Sequence, residues 1–268
     1  MAKTVFDKVS ELQVKAERNS AQILQLPLWP ETRRGAPNDL LRSALFCVRN
    51  QRLSRRYFKD EPIVVLGDCE ISYRGEELRQ DDLDVWLQLM HLQRGQVLGQ
   101  WIEFTAHSLL KAMGWRTSKR DYEHLRRCLS RMQATAVAIH SKRLSAGLSV
   151  SLIEEFAWRD HHGSSLGQWR VLINPKMHKL FGDVLYTQLE WSQRKQLGTL
   201  ARGLHGLYAS HAKPYPMKVE TILSVTGSTT RDLAKFRQLL RRALNELVEV
   251  GFLESWTIDK DLVHVSRL

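Results

Sequence analysis

The chain has 268 residues, 43% of them apolar and 26% charged, which suits one large or two ordinary globular domains with a real core. Its formal net charge of +11 and isoelectric point near 9.8 favour a polyanionic partner, nucleic acid or an acidic membrane surface. Cys47, Cys69 and Cys128 lack C-x-x-C spacing, the start MAKTVFDKVSELQ is too polar for a signal peptide, and no apolar run matches a bilayer; this weighs against disulfides, a zinc ribbon and a membrane partner and points to the cytoplasm.

Residues 3–24 carry Val5, Val9, Leu12 and Ala16 at helical spacing, but their polar remainder and missing caps suggest a mobile amphipathic arm. The apolar segment Gln25 to Trp29 follows, and residues 30–38 (PETRRGAPN) have the Pro and Gly of a linker. Asp39 can cap a short helix over LLRSALFCV. Residues 62–74 read as two strands around Gly67-Asp68. Asp81, Asp82 and Asp84 open a strong helix to about His91; at a helix start, capping and dipole stabilisation explain three acids better than a metal site does. A short strand is expected near 101–104, then a helix over 105–113 and a long one over 119–133. Strands follow at 135–140, 148–158 and 168–173, with residues 160–165 as the tip between the last two. Helices are expected near 176–181, 190–210, 218–225 and 230–250, with Pro214 and Pro216 breaking the chain between, and a final hairpin pairs 252–258 with 262–266.

The two long helices share a pattern. LRRCLSRM (125–132) matches LRRALNEL (240–247). Upstream of each lie a short helix, a glycine and a capping signal: SLLKAMG, then Ser118 with Asp121; ETILSVTG, then Thr229 with Asp232. Strand-like sequence follows each. Helix, glycine turn, longer helix and β-hairpin is the winged form of a helix-turn-helix. The expected fold is therefore α+β, with two tandem winged-helix domains (36–190 and 191–268) behind a mobile N-terminal arm and linker (1–35).

At 100° per residue, Leu233, Phe236, Leu240, Ala243, Leu244 and Leu247 share the core side of the second long helix. Arg231, Lys235, Gln238 and Arg242 lie nearly opposite, with Thr229 and Thr230 at the helix start. Arg can pair with guanine and Gln with adenine in the major groove, while hydroxyls and amides at a helix start bind phosphate. The first long helix divides in the same way. Tyr122, Leu125, Cys128, Leu129 and Met132 face inward; Arg120, His124, Arg127 and Arg131 face outward, with Lys119 beside them. Residues 116–143 hold eight Lys and Arg against only Asp121 and Glu123. One basic stripe is often a solvated helix face, but two, each behind a helix-turn start in a basic chain, favour double-stranded DNA.

Enzyme signatures are missing: there is no G-x-x-x-x-G-K-[ST], H-E-x-x-H, G-x-S-x-G or EF-hand loop. His161 and His162 would point to opposite faces of a strand, so they suit a loop tip touching phosphate better than a shared metal. No catalytic residue, metal or cofactor is expected. A transcription repressor would use the same folds and charge; a DNA nickase is the weaker rival.

Long strings in the chain resemble the TrfA-type replication initiators of broad-host-range plasmids: LPLWPETRRGAPNDLLRSALF (26–46), YRGEELRQDDLDVWLQLMHL (73–92) and FTAHSLLKAMGW (104–115). The resemblance runs from about Gln25 to the C-terminus. It implies two winged helices that bind directly repeated origin sites, the iterons, as a monomer. It also implies opening of AT-rich DNA with exposed single strands, recruitment of the host initiator and replicative helicase, and an inactive dimer that limits copy number. Through it, residues 229–242 would supply base readout, and the first domain phosphate contacts and the dimer surface, over a site of about 20 base pairs. Gln25, Leu26, Leu28 and Trp29 further resemble the Gln-Leu-x-Leu-Phe peptide that enters the groove of the bacterial sliding clamp, with Trp29 in place of Phe. The alternative is that Leu26, Leu28 and Trp29 pack on the first domain.

Overall fold

The computed structural model describes residues 25–50, 53–141, 147–159, 162, 164–181 and 185–268. The expected arm over 3–24, Lys142, Arg143 and His161 lie outside the described residues. In chain order come β1 (Arg33–Pro37), α1 (Asn38–Leu41), β2 (Phe46–Cys47), β3 (Tyr57–Ile63), β4 (Cys69–Glu76), β5 (Leu78–Arg79), α2 (Gln80–Gln93), β6 (Ile102–Phe104), α3 (Ala106–Ala112) and α4 (Lys119–Gln133). Then follow β7 (Ala136–Ser141), β8 (Leu148–Val150), β9 (Glu155–Arg159), β10 (Ser165–Leu172), a 3-10 turn (Pro175–Phe181), β11 (Tyr186–Glu190) and α5 (Trp191–Gln196). The chain ends with α6 (Thr199–Ala209), β12 (Met217–Lys218), α7 (Val219–Val225), α8 (Leu233–Glu249), β13 (Leu253–Asp259) and β14 (Leu262–Arg267).

Period-two burial shapes the first sheet. In β4, Cys69, Ile71 and Tyr73 turn inward while Glu70 and Arg74 face out. This strand pairs antiparallel with β3 and β7, and β7 with β8, giving the order β3-β4-β7-β8. The hairpin between β3 and β4 turns at Gly67, as its sequence predicts. A second antiparallel sheet has the order β6-β10-β9. Against these lies α2, which buries Leu83, Val85, Trp86, Leu87, Leu89 and Met90 and is the spine of the first core. A second apolar cluster forms from α6, α7 and α8 with the β13–β14 hairpin, including Leu204, Ile222, Phe236, Leu240, Leu244 and Val263.

Several expectations change. Residues 30–38 are not a linker: Arg33–Pro37 pair antiparallel with Tyr186–Glu190. That pairing is long-range, and within it Gly35 leaves room for the Trp29 ring, since a Cβ there would meet ring carbon Cζ3 at 2.5 Å. The helix expected over LLRSALFCV stops at Leu41, and Phe46–Cys47 join Leu78–Arg79 in parallel instead. The strand expected over 148–158 divides into β8 and β9, with Leu152 and Ile153 buried between them. The helix expected over 190–210 breaks at Leu197, which is extended, and the Gly198 amide donates to Glu246 at 2.6 Å.

Both repeated units keep the short helix, the glycine and the longer helix. The short helices α3 and α7 each end at a glycine in the left-handed region, Gly114 (φ 72°) and Gly227 (φ 63°), which turns the chain into the longer helix. Gly227 also sits against the first domain. A Cβ there would lie 2.6 Å from Cys47 Cβ, and next to it the Val48 amide donates to Thr226 O at 3.0 Å.

Candidate nucleic-acid interface

The second long helix starts later than its sequence predicts. Asp232, not Thr229, is its cap, accepting from the amides of Ala234 (2.8 Å) and Lys235 (3.3 Å). Thr229, Thr230 and Arg231 therefore lie on the turn before the helix, where Thr230 bonds Ser228. The faces divide as expected: Phe236, Leu240, Ala243, Leu244 and Leu247 are buried, and Arg231, Lys235, Gln238 and Arg242 are exposed. Among the described residues no acid pairs with Arg231, Lys235 or Arg242. These side chains line an open groove of about 1000 Å³ that is closed on its far side by Val48, Arg49, Asn50 and Leu53 of the first domain. The two acids in the groove are held elsewhere, Asp232 in its cap and Glu246 on Gly198. Arg237, off that face, pairs with Asp261 at the hairpin tip (2.7 Å).

The first long helix begins at the expected cap, where Asp121 accepts from the Ser118 amide (3.0 Å) and hydroxyl (2.6 Å). Lys119, Arg120 and Arg127 are exposed; they border or lie beside a second groove, of about 1020 Å³, which Arg116 also lines. Two expected donors are not free. Arg131 is only 8% exposed and pairs with Asp82 (2.5 Å) and Glu76 (3.0 Å). His124 is half-buried, stacks on Trp115 and binds Asp81 at 2.9 Å. The helical wheel sets both opposite the apolar side of α4, but that side is not open to water there: Asp81 of α2 meets His124, and Asp82 of α2 and Glu76 of β4 meet Arg131. Arg116, outside the helix, takes their place on the open face.

The covering acids are those of α2. Asp82 does accept from the Arg79 amide, as a capping role requires (2.8 Å). Its carboxylate also meets Arg55 (2.6 Å) and Arg131, while Asp81 meets Arg55 (3.0 Å) and His124. Asp84 reaches into the second domain, to Arg194 and Arg202, both at 2.6 Å. The three acids are thus mainly counter-ions for buried arginines, which local sequence does not show because every partner but Arg79 lies far along the chain. Burial works against ionising Asp81, yet the His124 bond and the Arg55 charge outweigh it and hold that carboxyl well below the usual range. Asp81, His124 and Cys128 present ligand-type atoms within 4.8 Å of one another. Asp81 and His124 already pair with each other, and Asp81 with Arg55, while burial pushes the Cys128 thiol well up, so Asp81 belongs to the ion-pair network and Cys128 is a neutral thiol beside it.

The clamp-like peptide is folded into the first core. Leu26 is 2% and Trp29 3% exposed; the Trp29 indole stacks on Phe181 and donates to His91 Nδ1 at 3.1 Å. Gln25 donates to Arg94 O at 3.1 Å and is exposed, as is Leu28, at 71%. This corrects the expectation of a presented peptide: an apolar Leu and Trp beside a domain with a matching site bury there. No helix of the described residues is long and apolar enough to cross a membrane.

The model of the TrfA protein family matches residues 2–267. The chain is 35% identical over 274 aligned residues to the plasmid replication initiator protein TrfA of Escherichia coli, an alignment covering all of this chain and 72% of the relative. Among solved structures, two crystal structures of domains 2 and 3 of RctB are similar in fold. One has a TM-score of 0.57 at 14% identity, covering 82% of this chain and 94% of that one; the other has 0.56 at 14%, covering 84% and 95%.

Proposed function

The chain belongs to the TrfA protein family of plasmid replication initiators, and from that membership we propose that it binds directly repeated sites, the iterons, at the origin of its own replicon. What supports this reading is the pair of exposed basic faces on α4 and α8, each behind a glycine turn and each bordering a groove. Residues 36–190 and 191–268 act as two winged-helix modules on one duplex. Lys235, Gln238 and Arg242 read base edges in the major groove, while Thr229, Thr230 and Arg231 hold phosphate. Lys119, Arg120 and Arg127, joined by Arg116, hold phosphates through the first module. The protein has no catalytic step of its own. It promotes opening of AT-rich DNA, contacts the exposed strand, and recruits the host initiator and helicase. The monomer binds; the dimer is inactive and limits copy number. The sliding clamp enters this scheme only through a form in which residues 25–29 leave the first core, since Leu26 and Trp29 are packed there.

The decisive experiment is footprinting on the replicon that encodes the chain. Protected direct repeats beside an AT-rich tract are expected; a single palindrome over a promoter would instead make the protein a repressor, and a tyrosyl-linked DNA product would make it a nickase. Changing Arg231, Lys235 and Arg242 together to Ala should abolish the gel shift on that DNA without lowering the melting temperature. A folded triple variant that binds like the parent defeats the assignment of α8.

A further inference from the structure

We propose that Leu53 is a minor-groove wedge, held between the two reading helices and inserted into the base stack at the centre of the DNA site. The proposal rests on the reading of α4 and α8 as major-groove elements. The two grooves beside those helices are separate, yet Leu53 lines both. On one face of B-form DNA, successive major grooves are separated by a minor groove. When two helices enter successive major grooves, whatever the protein holds between them faces that minor groove. Leu53 occupies this position and is 50% exposed, although it is a large apolar side chain.

Of the described basic residues nearest Leu53 along the chain, Arg49 pairs with Glu77, Arg55 with Asp81 and Asp82, and Arg56 with Glu61. This part of the surface therefore has an apolar tip to offer the duplex, and leucine is among the side chains that partly unstack a base step and kink DNA. The carbonyl of Leu53 and two others near it are held by one side chain. Arg79, 1% exposed, donates to the carbonyls of Asn50 (2.8 Å), Leu53 (3.0 Å) and Ser54 (3.1 Å), and its Nε donates to Glu77 (2.7 Å). Three bonds from one buried guanidinium fix the height of the tip before DNA arrives, so insertion carries little ordering cost. Arg79 is a positioning residue in this scheme.

The test uses the full chain and a duplex that the parent protein selects from a random pool, with 2-aminopurine placed at each central step in turn. The parent is expected to raise the fluorescence at one step between the two protected major grooves. Leu53→Ala should remove that rise and weaken binding by roughly tenfold, whereas Leu53→Met should keep both. Arg79→Lys should blunt the rise while the variant remains folded by thermal melting. Leu53→Ala that binds and fluoresces like the parent, beside an Arg231/Lys235/Arg242 variant that does not bind, overturns the wedge and leaves the helix assignment standing. If neither variant loses binding, both fail.

Discussion

Arg194 is 0% exposed and has every polar contact of a buried cation: Asp84 at 2.6 Å, Gln80 Oε1 at 3.0 Å and the Arg202 carbonyl at 3.1 Å. Removing one partner of such a pair leaves a buried charge unmatched. Asp84→Ala should therefore cost about 3–5 kcal/mol, read from the urea midpoint, and Asp84→Leu with Arg194→Met should recover much of it. An unchanged midpoint for Asp84→Ala would mean that the pair is not a structural element. Two imidazoles act in the opposite sense, held neutral. Burial, with the Arg194 charge, pushes His205 down to about 3. Burial, helped by Arg34 and Arg94 and opposed by Glu31, pushes His91 down to about 4. The Trp29 indole donating to His91 Nδ1 fits the uncharged ring. Unfolded histidine takes its proton near 6.5, so below that pH the unfolded chain gains protons that the folded chain refuses. Stability from these sites is present above about pH 6.5 and is lost as pH falls toward 4 and below. The urea midpoint should drop over that range, and more shallowly in His205→Leu; equal slopes would remove His205 from the account.

The segment around β1 separates two accounts of one peptide. If Leu26 and Trp29 serve the first core, Trp29→Ala should destabilise the protein by about 3–5 kcal/mol, while Leu28→Ala, at an exposed position, should stay within about 0.5 kcal/mol. Parent-like melting of Trp29→Ala would show that the segment is not part of the folded unit. The turn between α7 and α8 gives a second test. Gly227→Ala places a side chain at φ 63° and 2.6 Å from Cys47 Cβ, against the backbone-bound β2 segment. It should cost more than the ~1 kcal/mol of an ordinary glycine replacement, with faster proteolysis near 190–199 as the readout.

The two modules are joined by more than a chain connection. Asp84 binds two arginines of the second domain, Arg42 binds Ser210, Val48 bonds Thr226, and α6 approaches so closely that a Cβ on Gly203 would meet Val48 Cγ1 at 2.6 Å. If α4 and α8 both enter major grooves, as proposed, these contacts between the modules give the two helices a fixed phase along the duplex. Inserting about five base pairs, half a turn, at the centre of a selected site should abolish the two-module footprint, and about ten should not restore it. Full binding to the ten-pair insertion would show that the modules move independently. Replacing Lys119, Arg120 and Arg127 should make the salt dependence shallower by about one unit of slope for each phosphate left without its cation, with little change in sequence preference.

The long helices, their core faces and the basic stripe of α8 were legible in the chain because each depends on neighbours within one or two turns: apolar residues at helical spacing, a glycine after α3 and α7, a cap before α4. The family, too, was legible in strings such as LPLWPETRRGAPNDLLRSALF. What depended on distant pairing was not. Residues 30–38 read as a linker until their partner at 186–190 is in place, and Asp84 reads as a helix cap until Arg194 and Arg202 arrive from the other domain. Arg120 and Arg131 are equivalent on a helical wheel; one faces water and the other faces Asp82 because α2 covers only one end of α4. Periodicity places a residue on a side of its helix, but burial and charge pairing are decided by what the rest of the chain brings to that side.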